Sequence, residues 1–137
     1  MNKIDTLIAY LFAIQACSKD IHYSVSKEAF YSKHLLADEI YKGIDEQVDA
    51  LIETCILPYD IPYPMQKYWR DVATFYKPDV FMGFLVLEDL IKSALGFIEK
   101  IDHIIYGQEI TKGEQSLIDS IAQDLQRKLG LITRQVG

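Results

Sequence analysis

All four prolines of this 137-residue chain fall between positions 58 and 78: Pro58, Pro62, Pro64 and Pro78. Proline fixes φ and removes a backbone donor, so no long helix crosses that stretch. The chain on either side is free of proline, and its apolar spacing is helical. Ile4, Leu7, Ile8, Leu11, Phe12 and Ile14 give an apolar face to a first helix running from Met1 to about Ser24. A short connection at 24–26 turns the chain back on itself. Ser26 caps a second helix, with Glu28 in its first turn, and this helix runs to about Ile56, where Pro58 stops it. Val80, Phe84, Leu87, Ile91, Ala94, Ile98, Ile101 and Ile105 alternate steps of four and three. That seam predicts a third helix, ended by Tyr106-Gly107. Thr111 and Glu114 form a capping box for a fourth helix. Leu117, Ile118, Ile121, Ala122, Leu125 and Leu129 supply its core face, and Gly130 weakens it near the end.

The predicted fold class is therefore all-α. It is a four-helix bundle with one long crossover, and the crossover contains a short helix over Met65 to Phe75. The crossover aromatics Tyr68, Trp69 and Phe75 are expected to pack it onto the bundle. A crossover of this length lets the second and third helices run parallel. At this length residues 1–137 make one domain. Cys17 and Cys55 both lie inside helical patterns and read as buried free thiols. His103, near the end of the third helix, reads as a cation favoured by the helix dipole.

The polar residues of the second helix are arranged as closely as its apolar ones. A helix turns about 100° per residue, so with His34 at zero, Asp45 falls at about 20°, Asp38 at about 40°, Asp49 at about 60° and Glu53 at about 100°. The core arc holds Leu36, Ala37, Ile40, Ile44, Val48, Leu51 and Cys55 and lies elsewhere on the wheel. An acidic stripe facing away from its own core needs a partner from outside the subunit to complete a cation site. His34 and Glu53 share one sequence midpoint with Asp38 and Asp49, and so do Lys42 and Asp45. Two copies of this helix packed antiparallel about a two-fold axis would therefore bring His34 and Asp38 of one opposite Glu53 and Asp49 of the other. The site would occur twice, roughly 20 Å apart at about 1.5 Å of rise per residue. Ile52 and Ile56 fall on the same side and are expected to face the partner. Taken singly, each residue has an ordinary reading: a solvated carboxylate, or a turn histidine at position 22. The shared midpoint of the pairs His34/Glu53 and Asp38/Asp49 is what points beyond those readings.

The pattern His-x11-His-x3-Asp-x10-Asp-x3-Glu, carried by His22, His34, Asp38, Asp49 and Glu53, resembles that of the Dps mini-ferritins of the ferritin-like superfamily. Tyr23 follows His22, where that family often has Trp, and Tyr23-Ser24-Val25-Ser26 stands in place of its Gly-containing turn. The resemblance implies a ferritin-like bundle with a ferroxidase centre between two subunits. His22, His34 and Asp38 would bind iron from one subunit, with Asp49 and Glu53 from its neighbour. It also implies oxidation of Fe(II) by peroxide or dioxygen, and storage of the iron in a hollow shell of twelve subunits. Mixed imidazole and carboxylate ligation also suits zinc or manganese. The alternative is a ferritin-fold structural or interaction protein with a non-redox or vestigial metal site.

Charge narrows the partners. A net charge of −6 argues against a dedicated nucleic-acid binder, because phosphate contacts need clustered Lys and Arg. Dps relatives that bind DNA use basic tails. Here Lys3 is the one basic residue at the very start of the first helix, and Arg127, Lys128 and Arg134 share the last helix with Asp119 and Asp124. DNA binding is therefore not expected. No apolar run is long enough to span a bilayer, and no secretory signal is visible. The expectation is a cytoplasmic protein.

Overall fold

A computed structural model describes residues 2–24, 30–77 and 83–136 of the chain. Helix dominates it: α1 (Lys3–Ser24), α2 (Phe30–Tyr41), α3 (Ile44–Cys55), α4 (Met65–Phe75), α5 (Phe84–Glu99) and α6 (Lys112–Val136). A 3-10 turn, Leu57–Tyr59, follows α3. Two short antiparallel strands, β1 (Ile104–Ile105) and β2 (Gln108–Glu109), lie between α5 and α6. Among the described residues no helix is long and apolar enough to cross a membrane.

The first helix lies at the centre. Ile4, Leu7, Ile8, Ala9, Leu11, Phe12, Ala13, Ile14 and Cys17 are buried, and so are Asp5, Gln15 and Ser18. A helix enclosed on nearly every side must be contacted from several directions, and α1 meets α2, α3, α4 and α5. The long helices close a ring, since α5 also packs on α6, and α6 packs back on both α2 and α3. Asn2 starts α1 by accepting the Asp5 amide at 2.8 Å. The capping box of α6 is formed in both directions. The Thr111 amide donates to Glu114 at 2.8 Å, and the Glu114 amide donates to the Thr111 hydroxyl at 3.1 Å. Glu114 is buried there because its second oxygen accepts the Tyr59 hydroxyl at 2.5 Å, which ties the crossover to α6.

The short helix of the crossover falls on Met65–Phe75, as its sequence predicts. Tyr68 packs on Phe12 with ring centroids 4.5 Å apart, and Phe75 stacks on Tyr10 at 4.0 Å. Lys67 adds an ion pair to Asp5 at 2.5 Å. Trp69 differs: it is 65% exposed and does not pack the crossover down. Cys17 and Cys55 are buried free thiols, and burial pushes each up to about 12.

Three expectations need correction. The second helix is not continuous to Ile56. It breaks at Lys42–Gly43, where Gly43 takes φ +83°. Glycine adopts that left-handed conformation without a Cβ clash. The carbonyl left over at Lys42 accepts the ammonium of Lys128 at 3.1 Å. The angular count that placed Asp49 and Glu53 relative to His34 therefore does not run through position 43. The third helix stops at Glu99 and does not reach Tyr106. Tyr106 and Gly107 have φ of 52° and 75°, the two positive values that a tight hairpin turn requires, so they join two strands. Ile105 is still buried, but from β1. His103 thus stands beyond the helix, exposed, with its carbonyl accepting the Ile110 amide at 2.6 Å. Ile56 does not face outward. It is fully buried in the chain's own core, because α3 ends at Cys55 and the backbone turns there into the 3-10 segment. Ile52 also packs against that core. The expected caps Ser26 and Glu28, and the seam residue Val80, lie outside the described residues.

Candidate metal centre

Two helices bring the histidines together. His22 stands in the last turn of α1 and His34 in the second turn of α2, and these helices pack side by side. Their rings stack with centroids 3.6 Å apart and planes inclined by 27°. Each ring also binds the other residue's main chain. His22 Nδ1 lies 3.2 Å from the His34 carbonyl, and His34 Nδ1 lies 2.9 Å from the His22 carbonyl. A carbonyl oxygen only accepts, so Nδ1 carries the proton in both rings. In the neutral imidazole this leaves the lone pair on Nε2, the form in which histidine binds a metal. Both rings are half-buried.

Aromatic side chains close in around the pair. Phe30 lies 5.2 Å from the His34 ring. Tyr23 and Tyr41 approach His22 edge-on, at 5.2 and 5.4 Å. Asp38 is one turn beyond His34 on α2, with Tyr41 three residues further along the same helix. Burial, and then the nearby Asp38 carboxylate, raise the Tyr41 phenol above its ordinary value. The Lys19 ammonium stands 5.6 Å over the Tyr41 ring. The fold therefore brings His22 and His34 into contact, with Tyr41 against His22, and places Asp38 one turn further along α2.

Asp49 and Glu53 are placed differently. They lie one turn apart on α3, both exposed, while Val48, Leu51 and Cys55 of the same helix are buried. Asp45, at the start of α3, is held within the chain by the Gln15 side-chain amide at 2.7 Å. Among the described residues, no group of three or more His, Cys, Asp or Glu side chains of one chain is placed to hold a metal ion. The donor chemistry fits a borderline cation such as Fe(II) or Zn(II): two imidazoles and carboxylates.

Two residues that matter here escaped the reading of the sequence. Tyr41 carries a signal in hindsight, since it sits three residues after Asp38, a spacing at which helix side chains meet. Lys128 carries a better one. Ile118, Ile121, Leu125, Lys128 and Ile132 alternate steps of three and four, which puts a lysine in the core seam of α6. It is fully buried, paired with Asp124 at 2.9 Å and bound to the Lys42 carbonyl. Gln47 of α3 donates to the same Asp124 at 2.8 Å, and Arg127 reaches Asp124 at 3.1 Å and Glu39 of α2 at 3.0 Å. One turn of α6 thus grips both sides of the α2–α3 break. It also accounts for two of the three C-terminal basic residues, Arg127 and Lys128, by pairing within the chain.

No protein-family model matches this chain, and no curated protein matches it.

Proposed function

We propose that the protein is a mini-ferritin of the Dps type, with a ferritin-like bundle, that binds Fe(II) between two copies of the chain and oxidises it. His22, His34 and Asp38 of one copy hold the iron together with Asp49 and Glu53 of the other. Iron is substrate and cargo in this reading, and zinc or manganese would occupy the same donors. Peroxide, as oxidant, takes one electron from each of two Fe(II) ions and leaves as two hydroxides. The carboxylates favour the higher charge of Fe(III). The twelve-subunit shell belongs to the same proposal, as the compartment for the ferric product.

One observation carries the reading: both histidines place Nδ1 on a main-chain carbonyl, the arrangement that puts the lone pair of the neutral ring on Nε2. The exposure of Asp49 and Glu53 on α3 supports the two-copy arrangement, since neither carboxylate is buried within its own chain. A second reading has its own support. The missing three-ligand group within one chain favours a structural role, in which the histidine pair simply fastens α1 to α2. Anaerobic Fe(II) titration followed by peroxide separates the two. The proposal expects saturable binding and then a near-ultraviolet ferric absorbance that grows in step with the bound iron. An absorbance course identical to that of buffer leaves the structural reading standing.

A further inference from the structure

The residue that the crossover helix α4 buries is a carboxylate, Asp71. It is 2% exposed, and its Oδ2 accepts the Tyr63 hydroxyl at 2.6 Å. The helix against which α4 packs, α1, buries a second carboxylate, Asp5, which is 5% exposed. Asp5 stands in the first turn of α1, where the helix dipole favours a negative charge. The Lys67 ammonium takes Asp5 Oδ2 at 2.5 Å. Asp5 Oδ1 is buried and, among the described residues, has no hydrogen-bond partner. Asp5 and Asp71 line one cleft of about 370 Å³ together with Lys67, Arg70 and Thr74. We propose that this cleft between α1 and α4 binds a small zwitterion, an α-amino acid with a small or polar side chain, its ammonium on Asp5 and Asp71 and its carboxylate on Arg70. The site lies beyond the metal-binding reading and uses none of its residues. Asp5 and His22 stand at opposite ends of α1, roughly 25 Å apart at about 1.5 Å of rise per residue.

The physical case rests on what the cleft lacks. Its buried part holds two carboxylates and one ammonium, so one negative charge and one acceptor oxygen stand unanswered. A primary ammonium supplies both a positive charge and N–H donors. A metal ion would supply the charge, but among the described residues no group of three ligands is placed to hold one, and the Lys67 ammonium stands against Asp5. Arg70 and Thr74 are exposed where Asp5 and Asp71 are buried, so the guanidinium lies toward the mouth of the cleft. A guanidinium binds a carboxylate through two parallel N–H bonds. Negative charge in the depth and a guanidinium at the mouth match the two ends of an amino acid. The described lining carries no apolar side chain, which suits a small or polar remainder.

The test titrates the isotope-labelled full chain with glycine and L-serine at millimolar concentration and follows the backbone amides by nuclear magnetic resonance. Ethanolamine serves as the ammonium-only probe and 3-hydroxypropionate as the carboxylate-only probe. Glycine or L-serine is expected to shift the amides of Asp5 and Asp71 saturably, ethanolamine to do so more weakly, and 3-hydroxypropionate to leave them in place. Arg70→Gln, at an exposed position, keeps the fold. It should weaken amino-acid binding by about 10–100-fold, the worth of a hydrogen bond to a charged group, while leaving ethanolamine binding unchanged. Asp5→Asn should abolish both. No saturable shift with either amino acid overturns the proposal. So does 3-hydroxypropionate binding as well as L-serine, or amino-acid binding that Arg70→Gln leaves untouched. Iron binding has no part in any of these outcomes, so they stand apart from the test of the metal centre.

Discussion

The two halves of the proposed centre are built in opposite ways. On α1 and α2 the histidines are half-buried, stacked and hydrogen-bonded: His22 on His34, each ring on the other's carbonyl, with Asp38 one turn along α2. On α3, Asp49 and Glu53 stand exposed, a turn apart. The first half is ordered by the chain's own packing before any metal arrives. The second half places charge on the exposed face of α3. Side chains that stabilise their own subunit are tied to its fold, whereas side chains left in solvent are free to be used by another surface. The contrast predicts that mutations in the two halves separate stability from binding.

The largest effect is expected where the two halves join. Lys128 is buried, and it binds both Asp124 and the Lys42 carbonyl at the α2–α3 break. Lys128→Ala leaves a cavity, strips the Lys42 carbonyl of the ammonium and leaves Asp124 with only Gln47 and Arg127. Removing one member of a buried pair costs about 3 kcal/mol or more, so urea unfolding should show a loss of that size. A loss under ~0.5 kcal/mol, the range of ordinary surface substitutions, would show that the break is not held by α6.

Next comes the direct comparison. His34→Ala removes the ring stack and the hydrogen bond from His34 Nδ1, while the main-chain carbonyl that His22 uses stays, and is expected to cost about 1–2 kcal/mol, at roughly 1 kcal/mol for the hydrogen bond. The double variant Asp49→Ala, Glu53→Ala is expected to stay within about 0.5 kcal/mol of wild type, as exposed positions do, while losing iron binding. Equal destabilisation by the two would erase the distinction between an ordered half and a free one.

The smallest effect concerns acid stability. Burial alone would raise the Asp124 pKa, but hydrogen bonds from Lys128 and Gln47, together with the Lys128 charge, hold it below the usual carboxylate range. The folded state therefore binds this proton less readily than the unfolded chain. Its stabilisation is complete above the ordinary carboxylate pKa and is lost as pH falls through the lowered folded value. Asp124→Asn should flatten that part of the acid limb in a series of urea titrations between about pH 5 and 2. An unchanged slope would mean that another carboxylate dominates it.

Much of this was legible in the residues, and the misses share a cause. Spacing found the buried positions even where it assigned the wrong element. Ile105 is buried as the seam requires, but from a strand, because Tyr106-Gly107 makes a hairpin turn that a seam count does not register. Ile56 was placed by counting 100° steps through Gly43. The left-handed glycine breaks that count, and the end of α3 turns Ile56 inward. The histidine pair follows from one helix ending near His22 and the next carrying His34. Their exchange of carbonyls does not follow, since it depends on how closely α1 and α2 approach. Lys128 was hidden by its chemical type: a lysine in a core seam reads as surface until Asp124 and the Lys42 carbonyl are brought to it by the fold.

The central claim is that one centre draws its ligands from two copies, and mixing two defective variants tests it most directly. His34→Ala keeps the acidic half and lacks the histidine half. Asp49→Ala with Glu53→Ala lacks the acidic half and keeps the histidines. Neither alone should bind Fe(II) at the centre. Unfolded together in equal amounts and refolded, they should recover about a quarter of the wild-type binding capacity, because half of randomly paired two-fold dimers are mixed and each mixed dimer holds one complete site of two. No recovery in the mixture, or full binding by either variant alone, would contradict a centre shared between copies.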